Sequence, residues 1–248
     1  MFSKNQLSED EFLGGRIKVL QPLDGYRAAT DPVFLAAACP AKPGEHILEL
    51  GCGVGVASLC LNARVNVALT GVERLPEYAD LAQRNAAKNE VNFNVVDADL
   101  TDMPLSLRSL SFDHVILNPP YFRDGKKAGD AGRAGGRQEE TPLTEWVAQA
   151  LKRLRPKGSL TIIHLTERLS DIIGALSSKA GAIEIMPLAA REGRLAKRVI
   201  IRARKGAKGG TTLHNPLILH TGFSHEQDGD SFSSLAKGIL RDGQPIVF

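Results

Sequence analysis

The stretch His46-Ile47-Leu48-Glu49-Leu50-Gly51-Cys52-Gly53-Val54-Gly55 constrains the chain most. Ile47, Leu48 and Leu50 make a short apolar run that suits a buried strand. Three glycines spaced two apart follow, and Val56-Ala57-Ser58-Leu59-Cys60-Leu61 resumes with helix-compatible residues. Strand, glycine turn and helix are how an α/β fold builds a nucleotide site. Glycine lets the backbone turn sharply and approach a ligand closely, and the helix start offers free N–H groups. A dinucleotide fingerprint puts its third glycine at the sixth position, which here is Val56. A phosphate-binding loop needs Gly-Lys followed by Ser or Thr, which is absent. Glu49, two residues before the first glycine, repels a phosphate and suits an ammonium.

An adenosine carrying an α-ammonium and no phosphate is S-adenosylmethionine. The pattern Glu49-x-Gly51-x-Gly53-x-Gly55 resembles the first motif of the class I S-adenosylmethionine-dependent methyltransferases. Two further acids fit that ligand. Glu73, 20 residues after Gly53, ends the second strand and is placed to accept from both ribose hydroxyls; that geometry serves a dinucleotide equally well. After the third strand comes Asp97-Ala98-Asp99, and Asp99 is expected to accept from the adenine amine. Each acid has a plainer alternative, as a surface or strand-ending side chain.

The fourth strand, Phe112 to Leu117, ends in Asn118-Pro119-Pro120-Tyr121. Loops at the carboxyl ends of adjacent strands line the crevice of a doubly wound sheet, so this corner is expected to face the glycine turn. It resembles the fourth motif of the amino methyltransferases, which act on adenine N6, cytosine N4 or glutamine amides. An exocyclic amine is a poor nucleophile because its lone pair is delocalised. Two acceptors, the Asn118 side-chain oxygen and the Pro119 carbonyl, hold its N–H bonds and aim the lone pair. The prolines stiffen the loop, and Tyr121 offers a flat face to a base or amide.

Net charge divides unevenly. Residues 1–122 hold 10 Lys+Arg against 15 Asp+Glu, while residues 123–248 hold 21 against 13. Such a split suggests a polyanion met by the second half, although uneven charge also simply aids solubility. Arg123, Lys126 and Lys127 open a Gly/Ala-rich segment, 123–137, read as a lid that orders on a phosphate backbone. From Arg191 to Lys208 there are eight Lys/Arg and one acid, and Arg198, Arg202 and Arg204 share one strand parity. RNA is the expected partner. A basic sheet edge that resists aggregation is the alternative.

Around these motifs the chain reads as a hairpin about Gly14-Gly15, a helix Val33 to Cys39, a helix Pro76 to Asn89, and a helix after Thr141-Pro142 holding Trp146 as a core residue. Strands follow at Ser159 to Leu165, Ile183 to Leu188 and Arg198 to Ala203, the last two as a hairpin, and Leu213 to Thr221 is strand-like. His46, His114 and His164 read as sheet or core residues. The longest apolar run, Val33 to Cys39, is too short to span a bilayer. Cys39, Cys52 and Cys60 lack metal-site spacing and read as reduced thiols of a cytoplasmic protein.

Taken together, Tyr26-Arg27-Ala28-Ala29-Thr30-Asp31, Glu49 to Gly55, Asn118 to Tyr121, Arg194-Leu195-Ala196-Lys197-Arg198-Val199 and Asn215-Pro216-Leu217-Ile218-Leu219 resemble the tRNA adenine-N6 methyltransferases that modify the purine beside the anticodon of a valine tRNA. The resemblance implies a doubly wound, seven-stranded, mostly parallel sheet with an antiparallel C-terminal hairpin and a small N-terminal hairpin. It implies residues 1–40 packed on a catalytic domain at 41–223, with a tail at 224–248. S-adenosylmethionine is the implied cofactor, held by Tyr26, Arg27, Thr30, Glu49, Gly51, Gly53, Gly55, Glu73 and Asp99. Asn118, Pro119 and Tyr121 carry the chemistry; no metal takes part. A release-factor-type glutamine methyltransferase would use the same corner, but brings an N-terminal helical domain where only about 45 residues precede the first strand here. A non-catalytic RNA-binding relative is the reading from another class.

Overall fold

The computed structural model describes residues 1–121, 141–177, 179–222 and 231–248. The chain opens with a hairpin, β1 (Leu7–Phe12) against β2 (Ile17–Pro22), turning at Gly14 and Gly15. Next come α1 (Asp31–Ala38), β3 (His46–Leu50), α2 (Val56–Arg64), β4 (Ala68–Glu73), α3 (Pro76–Lys88) and β5 (Phe93–Asp97). Then follow a short α4 (Leu105–Arg108), β6 (Phe112–Leu117), α5 (Leu143–Arg153), β7 (Leu154–Leu165) and α6 (Leu169–Leu176). The described chain closes with β8 (Ala180–Ala189), β9 (Arg198–Lys205), β10 (Thr211–Leu213), β11 (Leu217–Ile218) and α7 (Ser234–Asp242).

One sheet organises these elements, in the order β10-β8-β9-β7-β6-β3-β4-β5. Strands β3 to β8 run parallel, and β9 is antiparallel to both its neighbours, β7 and β8. Strands β3 to β9 supply the seven expected. Two short pieces, β10 and β11, extend the edge by pairing in parallel with β8. Of the expected run Leu213 to Thr221, only Leu213, the end of β10, and Leu217–Ile218, which is β11, are strand, with Pro216 between them.

Period-two alternation sends neighbouring residues to opposite faces of the sheet. Ile47, Ile116, Ile163 and Ile200 join one apolar core with α1, α2, α3, the hairpin and Ile239 of α7. Leu48, Val115, Leu117, Ile162 and Ile201 join the other, beneath α5 and α6. Helix α1 is apolar on every side and is buried from Pro32 to Ala38, as expected of a helix enclosed on all sides. The final stretch packs on the core where it is described. Ser233 caps α7 by accepting from the Ala236 N–H at 3.1 Å, Ile239 is fully buried, and the Ile246 N–H donates to the Ala37 carbonyl at 2.9 Å.

The order of the sheet reverses at β3 and β6. Crossovers leave these neighbouring strands to opposite sides, so the loops after them open a crevice. Both motifs sit there.

Candidate active site

After β3 the backbone passes through Gly51, Gly53 and Gly55 at φ of 70°, 55° and 90°, a region L side chains rarely enter. Gly51 is needed for space as well: a Cβ there would lie 2.6 Å from the Trp146 ring. Trp146 is thus a core residue of α5, as expected, and also a wall of the site. The Gly53 N–H donates to Glu73 Oε2 at 2.9 Å and the Leu75 N–H donates to Glu73 Oε1 at 3.0 Å. Glu73 is buried and ties the ends of β3 and β4 together.

Glu49 is 3% exposed. Its Oε2 accepts from Ser58 Oγ at 2.5 Å and the Ser58 N–H at 3.1 Å. Burial pushes this carboxyl up to about 8, against the pull of both Ser58 bonds, and the neighbouring Glu73 adds to the rise. Asp99 accepts from Thr101 Oγ1 at 2.6 Å and the Thr101 N–H at 2.7 Å. Those bonds hold it below the usual carboxylate range.

The second corner stands opposite. Asn118 Nδ2 lies 3.4 Å from the Tyr26 hydroxyl, and Asn118 Oδ1 lies 3.0 Å from the Tyr121 hydroxyl. Tyr121 donates to Asp31 Oδ2 at 2.5 Å. The Arg198 Nε–H donates to the same Asp31 oxygen at 3.0 Å, and its guanidinium lies over the Tyr121 ring, 4.8 Å from the centroid. His164 meets that ring edge-on at 5.0 Å. Burial, with the Asp31 carboxylate beside it, drives the Tyr121 hydroxyl well above its ordinary range, so it stays protonated.

A cavity of about 320 Å³ joins the two corners. Glu49, Glu73 and Asp99 reach it from three successive loops, with Val72, Ala98, Leu100 and Trp146 as apolar wall. Asn118, Pro119, Pro120 and Tyr121 close the other side, with residues 26–32 and Arg198 at the rim. Residues 30–185 match the family model of the methyltransferase small domain.

The chain belongs to this methyltransferase family. It resembles the tRNA1(Val) (adenine(37)-N6)-methyltransferase of Porphyromonas gingivalis, with 34% identity over 173 residues, 66% of this chain and 68% of that protein. The protein so named from Shewanella halifaxensis is 30% identical over 157 residues, 62% of this chain and 64% of that one. A solved structure described as a predicted O-methyltransferase from Agrobacterium tumefaciens superposes with a TM-score of 0.69 at 27% identity, covering 88% of this chain and 98% of that one. The chain is a methyltransferase, and S-adenosylmethionine is its cofactor.

The site fits that cofactor. An acid at each of three loop ends, an apolar wall and a glycine turn without a lysine answer to an ammonium, a ribose, an adenine and no phosphate. Tyr26, Thr30, Glu49, Gly51, Gly53, Glu73, Asp99, Asn118, Pro119 and Tyr121 all line the one cavity. Gly55 instead caps α2 and packs near Phe93. Arg27 reaches the rim, but its guanidinium turns to the hairpin: it donates to Ser8 Oγ, the Pro22 carbonyl and Asp10. The expected cationic face divides. Arg198 lies at the site, whereas Arg202 pairs with Glu184 at 2.7 Å and stacks on Phe248 at 3.6 Å. Arg204 is exposed and lies six residues further along β9, about 20 Å at roughly 3.3 Å per residue. Shared parity sets the face but not the end of the strand. Arg123, Lys126, Lys127 and the expected lid at 123–137 lie outside the described residues.

Sequence reasoning named Asp31 only within the run Tyr26 to Asp31 and missed its role. Thr30 caps α1 through its carbonyl, with no side-chain bond, while the Asp31 side chain goes to Tyr121 and Arg198. The signal was the run Tyr26 to Asp31 before a helix. Among the described residues, no group of three or more metal-ligating side chains occurs, and no helix is long and apolar enough to cross a membrane.

Proposed function

We propose that this methyltransferase acts on an exocyclic amine, adenine N6 in a tRNA. The observation that carries the reading is the second corner: a side-chain amide oxygen and a proline carbonyl at the wall of the cofactor cavity, in Asn118-Pro119-Pro120-Tyr121. Glu49 would face the ammonium, Glu73 the ribose and Asp99 the adenine of the cofactor, which supplies a methyl group made electrophilic by its sulfonium.

The chain's own work is positioning. Asn118 Oδ1 and the Pro119 carbonyl accept the two N–H bonds of the amine and turn its lone pair toward the cavity. Pro120 has no N–H to compete for those acceptors. Tyr121 carries Arg198 over its ring, and an extruded base would meet this corner from the cavity. The attacking nitrogen gains a positive charge and becomes acidic, so its proton leaves to water without a strong base. An oxygen nucleophile would bring one proton to two acceptors and leave one unpaired, which favours an amine.

The names of the relatives support a tRNA substrate. So do exposed Arg194 and Lys197, which flank the site on the turn between β8 and β9, where phosphates of a docked strand would pass. Reduced, buried Cys39, Cys52 and Cys60 suit a cytoplasmic setting. The test is incubation of tRNA with the chain and isotope-labelled S-adenosylmethionine, followed by mass spectrometry of nucleosides. Label in N6-methyladenosine is expected. Label in protein, or in no macromolecule, contradicts the reading.

A further inference from the structure

The Tyr121 hydroxyl has one proton and two acceptors in reach. Asp31 Oδ2 stands at 2.5 Å and Asn118 Oδ1 at 3.0 Å. Hydrogen bonds from O–H to a carboxylate are shorter and about twice as strong as neutral ones. The Arg198 Nε–H donates to the same Asp31 oxygen and keeps that carboxylate aimed at Tyr121. On the other side of the amide, Asn118 Nδ2 faces the Tyr26 hydroxyl at 3.4 Å. There the amide N–H donates to the Tyr26 hydroxyl.

We infer that Asp31 is a positioning residue: by holding the Tyr121 hydroxyl proton, it keeps the Asn118 side-chain oxygen open for the amine of the substrate. The inference rests on the amine-transfer reading above. Without the carboxylate, the nearest acceptor left to Tyr121 is the very oxygen the substrate needs. Asp31, Tyr121 and Arg198 then act as a unit although they lie 90 and 77 residues apart in the chain. Asp31 lines the cavity, and its side chain is bonded to Tyr121 and Arg198. It acts on the reaction through Tyr121 alone, so its effect should vanish when the hydroxyl is gone.

The experiment is a double-mutant cycle on the full chain with tRNA as substrate. Asp31→Asn should lower kcat about tenfold, with KM for RNA and Kd for S-adenosylmethionine changed less than about twofold. In a Tyr121→Phe background, the same Asp31→Asn change should alter kcat less than about twofold, because no hydroxyl remains to compete. Equal falls in both backgrounds overturn the inference, as does an Asp31→Asn chain that no longer melts cooperatively, which would make Asp31 structural. A second arm needs no methyl transfer. NMR of the chain without RNA should show a downfield Tyr121 hydroxyl proton that Asp31→Asn removes. A proton shared with Asn118 in the unaltered chain overturns the inference and leaves the amine-transfer reading standing. N6-methyladenosine absent from tRNA treated with the unaltered chain overturns that reading instead.

Discussion

The two edges of the central sheet use similar side chains differently. At the amino edge, His114 Nε2 meets Glu45 Oε2 at 2.8 Å, Arg155 pairs with Asp113, and Asp113 accepts the His46 N–H at 2.8 Å. The charges there are spent on one another. At the carboxyl edge, Glu49, Glu73, Asp99 and Asn118 line a cavity. Glu49, Glu73 and Asp99 each accept from a backbone N–H, and Glu49 and Asp99 from a hydroxyl as well. These acids stand within reach of a ligand, whereas Glu45 and Asp113 are turned to Arg155. Arg198, which lines this cavity together with Arg74, is spent on Asp31.

That contrast is most open to attack at Asn118. Asn118→Ala should lower turnover on the order of a hundredfold or more and leave cofactor affinity nearly unchanged. Near-normal turnover in a steady-state assay would make the corner a mere turn.

Glu49 comes next. Its carboxyl, raised to about 8 from an ordinary 4.5, holds a proton near neutrality that an ammonium must displace. Cofactor affinity should therefore weaken up to about tenfold per pH unit as pH falls below about 8. Glu49→Gln should lower affinity about tenfold at pH 8 and abolish that slope, as read by calorimetry. Stability runs the opposite way. The folded carboxyl holds a proton the unfolded chain releases, so stability falls as pH rises from about 4.5 through about 8, and Glu49→Gln should flatten that fall. An unchanged slope would place the ammonium elsewhere.

Cations at the two ends of β9 offer a third comparison. Arg194→Ala and Lys197→Ala should each reduce the salt slope of RNA binding by about 1, and Arg204→Ala should leave it unchanged. The reverse pattern would move RNA to the far edge.

The smallest effect belongs to the amino edge. Burial lowers the His114 imidazole, with Glu45 opposing. The unfolded chain then takes up a proton that the folded chain resists, so stability is full above about 6.5 and falls as pH drops below it. His114→Gln should cost about 1–2 kcal/mol at pH 8, remove most of that pH dependence in thermal melts, and leave kcat unaltered.

Much of this was legible in sequence for physical reasons. Gly51 to Gly55 had to turn because three glycines interrupt an apolar run. Phe112–Leu117 had to be a strand because six residues without turn signals end at two prolines. What escaped was contact at long separation. No local pattern brings Asp31 to Arg198 across 167 residues, or α7 back onto α1. The run Arg198 to Arg204 showed its parity, but only the antiparallel placement of β9 decided which arginine reaches the site. Asp31 lies at the start of α1, where an acid ordinarily serves the helix end, and nothing local points to its bonds with Tyr121 and Arg198.

The most direct test of the central claim is a crystal structure of the chain with S-adenosylhomocysteine and adenosine. The account predicts the cofactor ribose against Glu73, its amino group against Glu49, and the adenosine N6 within hydrogen-bond reach of both Asn118 Oδ1 and the Pro119 carbonyl, facing the sulfur. A sulfur turned away from Asn118, or an N6 bound outside the corner, would contradict it.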